Sequence, residues 1–269
     1  MQLWAGACRR GMSGTSLLLM IIALAAGVGI TAVGPGGVFL TAALFVGTDL
    51  SSAAVAGTAS ATFVATGLVG SGAYVRSGEL ATRPAWAAAA WLSATGLVGA
   101  LVGARINLAI GAEGFGRLLG AFLVGGAGLI MYREWTNEEA PGVLAGSVLP
   151  GKGTRCRGIL AAVGGVVGLL GGLLGVGGPV VAVPMLVSLG MPIRQAVAVA
   201  QVQSVVLALV ATARYAAAGA VDPALALLVG VPQLVGVGVG WRVAHRVAPG
   251  RLRKGLAGVL VVVGAGVAL

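Results

Sequence analysis

Apolar runs of membrane-spanning length are the feature that most constrains how this sequence can fold. A helix needs about 20 predominantly apolar residues to cross the hydrocarbon core of a bilayer. Short polar breaks separate eight runs of about this length or longer, at approximately residues 16–47, 50–72, 85–110, 116–133, 158–190, 193–215, 223–244 and 255–269. The pattern predicts an all-α, polytopic membrane protein with about eight transmembrane helices.

Composition excludes the other broad classes of protein. Of the 269 residues, 58% are hydrophobic and 9% are charged, whereas soluble domains average about 25% charged residues. A chain this apolar has too few polar residues to cover the core of a soluble protein. Disorder requires low hydrophobicity and high charge, and the 48 glycines follow no three-residue collagen repeat.

The net charge of +10 points to lipid and solute rather than to nucleic acid. The 17 Lys and Arg residues lie mainly between apolar runs, where lipid headgroups attract them. Aromatic residues make up only 5% of the chain, so the stacking side chains of single-strand binders are missing. We expect membrane lipids and a small anionic solute as partners, and no nucleic acid. Association into a homo-oligomer is left open.

The longest polar break divides the chain into two halves of four runs each. We therefore expect a first membrane repeat at residues 1–133, with a tail at 1–14, an extramembrane linker at 134–157 and a second repeat at 158–269.

The two halves share landmarks in the same order. Gly34 matches Gly175 at an offset of 141 (175 − 34), and Tyr74 matches Tyr215 at the same offset (215 − 74). The spacing Gly99-x-x-x-Gly103 recurs later as Gly236-x-x-x-Gly240, at an offset of 137 (236 − 99). Internal duplication of this kind is frequent in secondary transporters. For the last two pairs, close helix packing is the expected role.

Two runs are too long for single spanning helices. Residues 16–47 and 158–190 would each extend about 48 Å, against a hydrocarbon core of about 30 Å. Each contains a central glycine cluster with an adjacent proline, at 34–37 and at 175–179. Because glycine and proline interrupt helices, we expect a spanning helix, a break and a shorter helix in each half. Broken helices at matching positions indicate a transport site.

Sorting the basic residues by eight single crossings leaves the orientation open. One end receives Arg105, Arg117, Arg194, Arg242, Arg246, Arg251, Arg253 and Lys254. The other receives Arg9, Arg10, Arg76, Arg83, Arg133, Lys152, Arg155, Arg157 and Arg214. Eight basic residues at one end and nine at the other do not decide which end is cytoplasmic.

The apolar runs contain no groups for catalysis. All seven acidic residues lie in or beside predicted loops, and the single histidine, His245, lies at an interface. Hydrolases, intramembrane aspartyl proteases and metal centres need such groups at membrane depth. We therefore expect neither an enzyme nor a bound cofactor or metal.

The polar residues near the middle of the apolar runs are uncharged. Hydroxyls, amides and free N–H groups at helix starts suit an anion site, although such side chains also bond across membrane helices. Both interpretations are open for the amides, and helix bonding is favoured for the threonines. The candidate substrate-binding residues are Gly34, Gly36, Gly37, Thr58, Ser60, Gly175, Gly177, Gly178, Gln201, Gln203 and Ser204.

The second glycine cluster and its surroundings resemble the TauE/SafE sulfite-exporter family. The stretch Gly175-Val-Gly-Gly-Pro-Val-Val-Ala-Val-Pro184, followed by Ala196-Val-Ala198, is similar to the family signature. The first-half stretch Gly34-Pro-Gly-Gly-Val-Phe-Leu-Thr41 resembles it, as does Gly57-Thr-Ala-Ser60. The resemblance implies an inner-membrane transporter of a sulfur-containing anion. It fixes neither the anion nor the direction of transport.

We accordingly expect a secondary transporter of a small anion, such as sulfite, a sulfonate or thiosulfate, in the bacterial inner membrane. The alternatives are a non-transporting membrane scaffold and a transporter of an unrelated small solute.

Overall fold

The computed structural model describes residues 14–136 and 154–246, and the side chains of residues 14–125 and 157–246. All regular structure in these ranges is helical. The helices are α1 (Gly14–Ala32), α2 (Gly37–Gly47), α3 (Ser52–Arg76), α4 (Arg83–Ala109), α5 (Ala112–Thr136), α6 (Thr154–Leu174), α7 (Pro179–Ser188), α8 (Ile193–Ala217) and α9 (Pro223–Arg246).

The described helices make this a multi-pass, all-α membrane protein. Six of them are long and apolar enough to cross a bilayer, namely α1, α3, α4, α6, α8 and α9, and α2 and α7 are shorter apolar helices. The predicted tail at 1–14, except for its last residue, and the predicted run at 255–269 lie outside the described residues. Most of the predicted linker also lies outside them, while its first three residues belong to α5 and its last four to α6.

Helix ends follow from local side-chain chemistry. Ser51 caps α3 by accepting a hydrogen bond from the Ala54 N–H at 3.2 Å. The Asp222 carboxylate accepts from the N–H groups of Ala224 and Leu225, each at 3.0 Å. These bonds supply acceptors to N–H groups that have none inside their own helix.

Each overlong run forms two helices, as predicted. In the first run, 16–47, the second helix turns back along the first. A Cβ atom added to Gly36 would collide with the backbone of α1 at Ala26 and Ile30. A Cβ on Gly47 would lie 3.5 Å from the Leu19 side chain, near the start of α1. Helix α2 therefore runs antiparallel to α1, and the pair forms a helical hairpin rather than one crossing.

The second overlong run, 158–190, also returns to the end at which it began, and this corrects the sorting of basic residues. Arg157, at the start of α6, lies 6.0 Å from the Trp91 ring, near the start of α4. Tyr74, near the end of α3, lies with Arg194 and Ala244 around one depression, and we name this the Tyr74 end. The opposite end, where α8 finishes, is the Tyr215 end. Placing Arg76 opposite Arg194 was therefore wrong. The Tyr74 end carries six of the nine described basic side chains, Arg76, Arg83, Arg157, Arg194, Arg242 and Arg246, and the Tyr215 end carries Arg105, Arg117 and Arg214.

Glycines bring two pairs of helices into backbone contact. A Cβ on Gly99 of α4 would collide with the Gly165 carbonyl of α6, and one on Gly236 of α9 would collide with the Leu24 carbonyl of α1. A Cβ on Gly103 or Gly240 would likewise meet the backbone of the facing helix. The predicted packing role of these four glycines is confirmed.

The glycines of α6 provide a matched test of this packing. A Cβ on Gly168 would collide with the Gly96 carbonyl, whereas one on Gly165 meets nothing within 4 Å. We expect Gly168→Ala to destabilise the fold by about 1–3 kcal/mol, as overpacking does. Gly165→Ala should be neutral or stabilising by up to about 1 kcal/mol, because alanine favours helix. Thermal midpoints in detergent measure both, and equal midpoints would contradict the packing.

Candidate functional site

The two helix interruptions meet inside the protein. We name residues 33–36 the first break and residues 175–178 the second break. The Thr41 hydroxyl of α2 donates a hydrogen bond to the Gly175 carbonyl at 2.5 Å. A Cβ on Gly37 would lie 2.5 Å from the Val176 carbonyl oxygen, and one on Gly34 would lie 3.2 Å from the Pro179 carbonyl oxygen. The sequence-predicted glycine clusters of both halves are therefore in contact.

Glycine is required in the breaks for conformation and for space. Gly34 has φ +112°, and Gly175 has φ +60°, a region that side chains with a Cβ disfavour. A Cβ on Gly175 would also lie 2.6 Å from both Cα and the carbonyl oxygen of Ala56. Any larger residue at Gly175 would push α3 away from the second break.

Side chains from other helices satisfy the carbonyl groups that lose their helical partners at the breaks. The Tyr74 hydroxyl donates to the Thr31 carbonyl at 2.6 Å, and the Tyr215 hydroxyl donates to the Gly172 carbonyl at 2.7 Å. The Asn107 amide donates to the Leu173 carbonyl at 2.6 Å. The last carbonyls of a helix have no intrahelical donor, and an unpaired polar group in a membrane costs several kcal/mol.

The N-cap residues of the two short helices cannot cap them. These residues are Gly36 and Gly178, which have no side chain, and the first residue of α7, Pro179, has no N–H. The first N–H groups of a helix have no intrahelical acceptor and carry the positive end of its dipole. The two breaks thus bring two electropositive helix starts close together in the interior.

Two of the predicted polar residues lie beside the breaks. A Cβ on Gly178 would lie 3.3 Å from the Cα atom of Ser204, which is 3% exposed. Fully buried Gln201 donates through Nε2 to the Ile30 carbonyl at 3.2 Å, less than one turn before the first break. Gln201 therefore also supports the end of α1, while its Oε1 atom has no partner among the described residues.

Two of the other predicted polar residues form hydrogen bonds to neighbouring helices. Gln203 donates to the Leu92 carbonyl of α4 at 3.2 Å. The Thr58 hydroxyl accepts a hydrogen bond from the Asp222 N–H at 3.0 Å, which ties α3 to the start of α9. Ser60 is buried on α3. Thus Gln203 and Thr58 bond across helices, the interpretation that had been favoured only for the threonines.

Sequence reasoning missed two residues with unusual surroundings. Phe63 is 2% exposed and lies against both breaks, because Cβ atoms on Gly37 and Gly177 would lie 3.0 and 3.5 Å from its ring. Gln233 is fully buried, and neither its Nε2 nor its Oε1 has a partner within the described residues. Both could have been found from the sequence. Gln233 is an amide inside the apolar run 223–244, and Phe63 precedes the candidate residue Ser204 by the repeat offset of 141 (204 − 63).

A depression opens at the Tyr74 end beside the first break. Ala32, Val33 and Tyr74 line it, and the first turn of α8 contributes Arg194, the one charged side chain in the lining. Within the described residues, Arg194 has no carboxylate within ion-pair distance. The depression is completed by Ile193, Val197 and Ala244.

A polar clamp holds the α3–α4 loop to the end of α9 at this same end. Nε2 of His245 lies 3.0 Å from Oε1 of Glu79, and its Nδ1 lies 2.8 Å from the Trp241 carbonyl oxygen. Burial opposes ionisation of Glu79, but hydrogen bonds from Ser77, its own backbone N–H and His245 lower the pKa of this carboxyl below its ordinary value. Glu79 is thus engaged by His245 and does not neutralise Arg194.

The family model described as sulfite exporter TauE/SafE matches residues 13–267, nearly the whole chain. The chain belongs to the TauE/SafE family. The predicted resemblance is confirmed, and the protein is a member of a transporter family rather than of an enzyme family. No curated protein and no solved structure matches the chain.

The tyrosines at the breaks of this TauE/SafE protein allow a direct test of carbonyl support. Tyr74→Phe and Tyr215→Phe each leave one buried carbonyl unpaired, so we expect each to lower stability by about 1–3 kcal/mol. Thermal midpoints of the purified variants measure the loss. Thr82→Ala, which removes an exposed hydroxyl that makes no capping hydrogen bond at the start of α4, is the control and should change the midpoint little. Wild-type midpoints for both tyrosine variants would contradict the proposed support.

Proposed function

We propose that this TauE/SafE protein is a secondary transporter of a small sulfur-containing anion, such as sulfite, a sulfonate or thiosulfate, in the bacterial inner membrane. The observation that carries the proposal is the meeting of two uncapped helix starts within the protein. Helix starts bind anions through free N–H groups and the helix dipole. Transporters place such discontinuous helices at the solute site.

We further propose that the halves are inverted repeats, each with four membrane segments, that together surround this site. Reciprocal contacts support the proposal. Tyr74 bonds Thr31 in the first half and Tyr215 bonds Gly172 in the second, both members shifted by 141 (215 − 74 and 172 − 31). Helix α9 packs on α1 as α4 packs on α6, and α3 packs on α8. Because α1 and α6 begin at opposite ends, the proposed repeats run in opposite directions through the membrane.

The anion's ligands in this proposal are the backbone N–H groups at the starts of α2 and α7 and the hydroxyl of Ser204. The glycines let the backbone itself approach the solute, since they carry no side chain between N–H and ligand. Gln201 borders the first break through Ile30, and its role is to hold the wall in place. The site thus carries positive partial charge without a buried cation.

Solute enters, in this proposal, through the depression at the Tyr74 end. The positive charge of Arg194 attracts an anion to a depression that is also lined by Val33 of the first break. The six-to-three excess of described basic side chains at the Tyr74 end supports, by the positive-inside rule, a cytoplasmic location of that end in this proposal.

If transport is coupled to protons, the solute itself carries them in this proposal. The four acidic residues whose side chains are described, Asp49, Glu79, Glu113 and Asp222, all lie in loops or at helix starts. The described membrane interior therefore offers no carboxylate of the kind that serves as a proton relay in pumps. Sulfite titrates near neutral pH and can carry its own proton. Sulfite flux that does not change with an imposed pH gradient would contradict proton transport by the solute.

Flux measurements in proteoliposomes test the function. Purified protein should move at least one of sulfite, thiosulfate and methanesulfonate above the rate of empty vesicles. Movement of only an unrelated solute would contradict the sulfur-anion assignment. No movement of any solute, from protein of wild-type thermal midpoint, would support the scaffold alternative.

Two glycines in the left-handed region provide a matched test of the site. Gly175 and Gly219 have φ of +60° and +70°, so alanine strains both backbones similarly. Only a Cβ on Gly175 meets neighbouring backbone, at Ala56. We expect Gly175→Ala to lower flux at least tenfold and Gly219→Ala to retain most of it. Equal flux in both variants would contradict a site at the second break.

Two arginines of α8 test the entry. Arg194→Ala should raise the KM for the transported anion about three- to tenfold, an effect that 1 M salt should reduce because screening weakens surface attraction. Arg214→Ala changes the same residue type in the last turn of α8, at the other end, and serves as control when the anion is supplied at the Tyr74 end. An equal change in KM for both variants would contradict the assigned entry.

A further inference from the structure

Phe63 lies against both breaks. A Cβ on Gly37 would lie 3.0 Å from its Cζ atom, and a Cβ on Gly177 would lie 3.5 Å from its Cδ2 atom. The ring is 2% exposed and belongs to the same apolar cluster as Val176 and Val180. One side chain of α3 thus touches both glycine clusters.

The corresponding position in the second half carries a small polar residue. Ser204 follows Phe63 by 141 positions (204 − 63), and it contacts Gly178 as Phe63 contacts Gly37, which precedes Gly178 by the same interval (178 − 37). The wall beside the start of α2 is therefore a phenyl ring, and the wall beside the start of α7 is the backbone and Cβ of a serine. The two proposed repeats differ at the layer where a solute would pass.

We propose that Phe63 closes the path between the two breaks and sets the size of the anion that crosses. This inference rests on the proposed function, since it assigns a residue to the same site. An apolar ring offers no hydrogen bond to an anion, and apolar constrictions close pores by excluding water. Its counterpart Ser204 has a smaller side chain, whose hydroxyl can donate a hydrogen bond.

Exchanging the residues at these two positions tests the proposal. Proteoliposomes are prepared with wild type, Phe63→Ser, Ser204→Phe and, as a matched loss of a phenyl ring elsewhere, Phe45→Ser. Phe45 packs against Phe115 with ring centroids 5.2 Å apart, at the far end of α2 from the breaks. Flux of sulfite and of the bulkier benzenesulfonate is measured together with each thermal midpoint.

We expect Phe63→Ser to raise the benzenesulfonate-to-sulfite flux ratio at least about tenfold. Ser204→Phe should lower sulfite flux by a similar factor, because two rings then face the path. Phe45→Ser should keep the wild-type ratio even where its midpoint falls. This pattern separates selectivity from stability, because a purely structural role for Phe63 would change amounts of folded protein and leave the ratio unchanged.

Two results would overturn the proposal: a wild-type ratio in folded Phe63→Ser, or the same rise in ratio in Phe45→Ser. If Phe63→Ser does not insert into the membrane, Phe63→Leu is measured instead. A smaller rise in its benzenesulfonate-to-sulfite flux ratio would support the proposal, and a wild-type ratio would overturn it. When wild type moves none of sulfite, thiosulfate, methanesulfonate and benzenesulfonate, the proposed function fails. Phe63 is then tested by iodide leak, which Phe63→Ser should raise and Phe45→Ser should not.

Discussion

Carbonyl groups that leave a helix inside an apolar membrane need a donor, and this need organises the centre of the molecule. Helices α1 and α6 both end at depth, where water cannot supply hydrogen bonds. Hydroxyls of Tyr74 and Tyr215 and the amide of Asn107 supply them from other helices. The carbonyl ends of both broken helices are thereby fixed, while the N–H ends of the following short helices are left without caps. The site is polar because only one side of each break is satisfied.

Glycine makes this arrangement sterically feasible at two scales. Between helices, it lets α1 meet α9 and α4 meet α6 backbone to backbone, which holds the frame around the breaks. Within the breaks, it allows the left-handed turn at Gly175 and its contact with Ala56. The high glycine content of the chain is thus a packing requirement and a site requirement together.

Much of this could be read from sequence. Run lengths and glycine positions predicted the all-α membrane fold and both breaks, because excess length and helix-breaking residues are local signals. The doubling back of the chain after each break could not be read, because a break fixes no direction for the next helix. Relative to Arg76, four basic residues of the second half were therefore sorted to the wrong ends, namely Arg194, Arg214, Arg242 and Arg246. The partners of Thr58 and Gln203 were also beyond sequence, since a buried polar residue carries no mark of which carbonyl or N–H group it faces.

Locating a bound anion by electron cryo-microscopy of the protein in nanodiscs, with and without saturating sulfite, tests the central claim most directly. The account predicts sulfite-dependent density between the first and second breaks, within hydrogen-bond distance of the starts of α2 and α7 and close to Ser204. Sulfite-dependent density elsewhere, with none between the breaks, would contradict it.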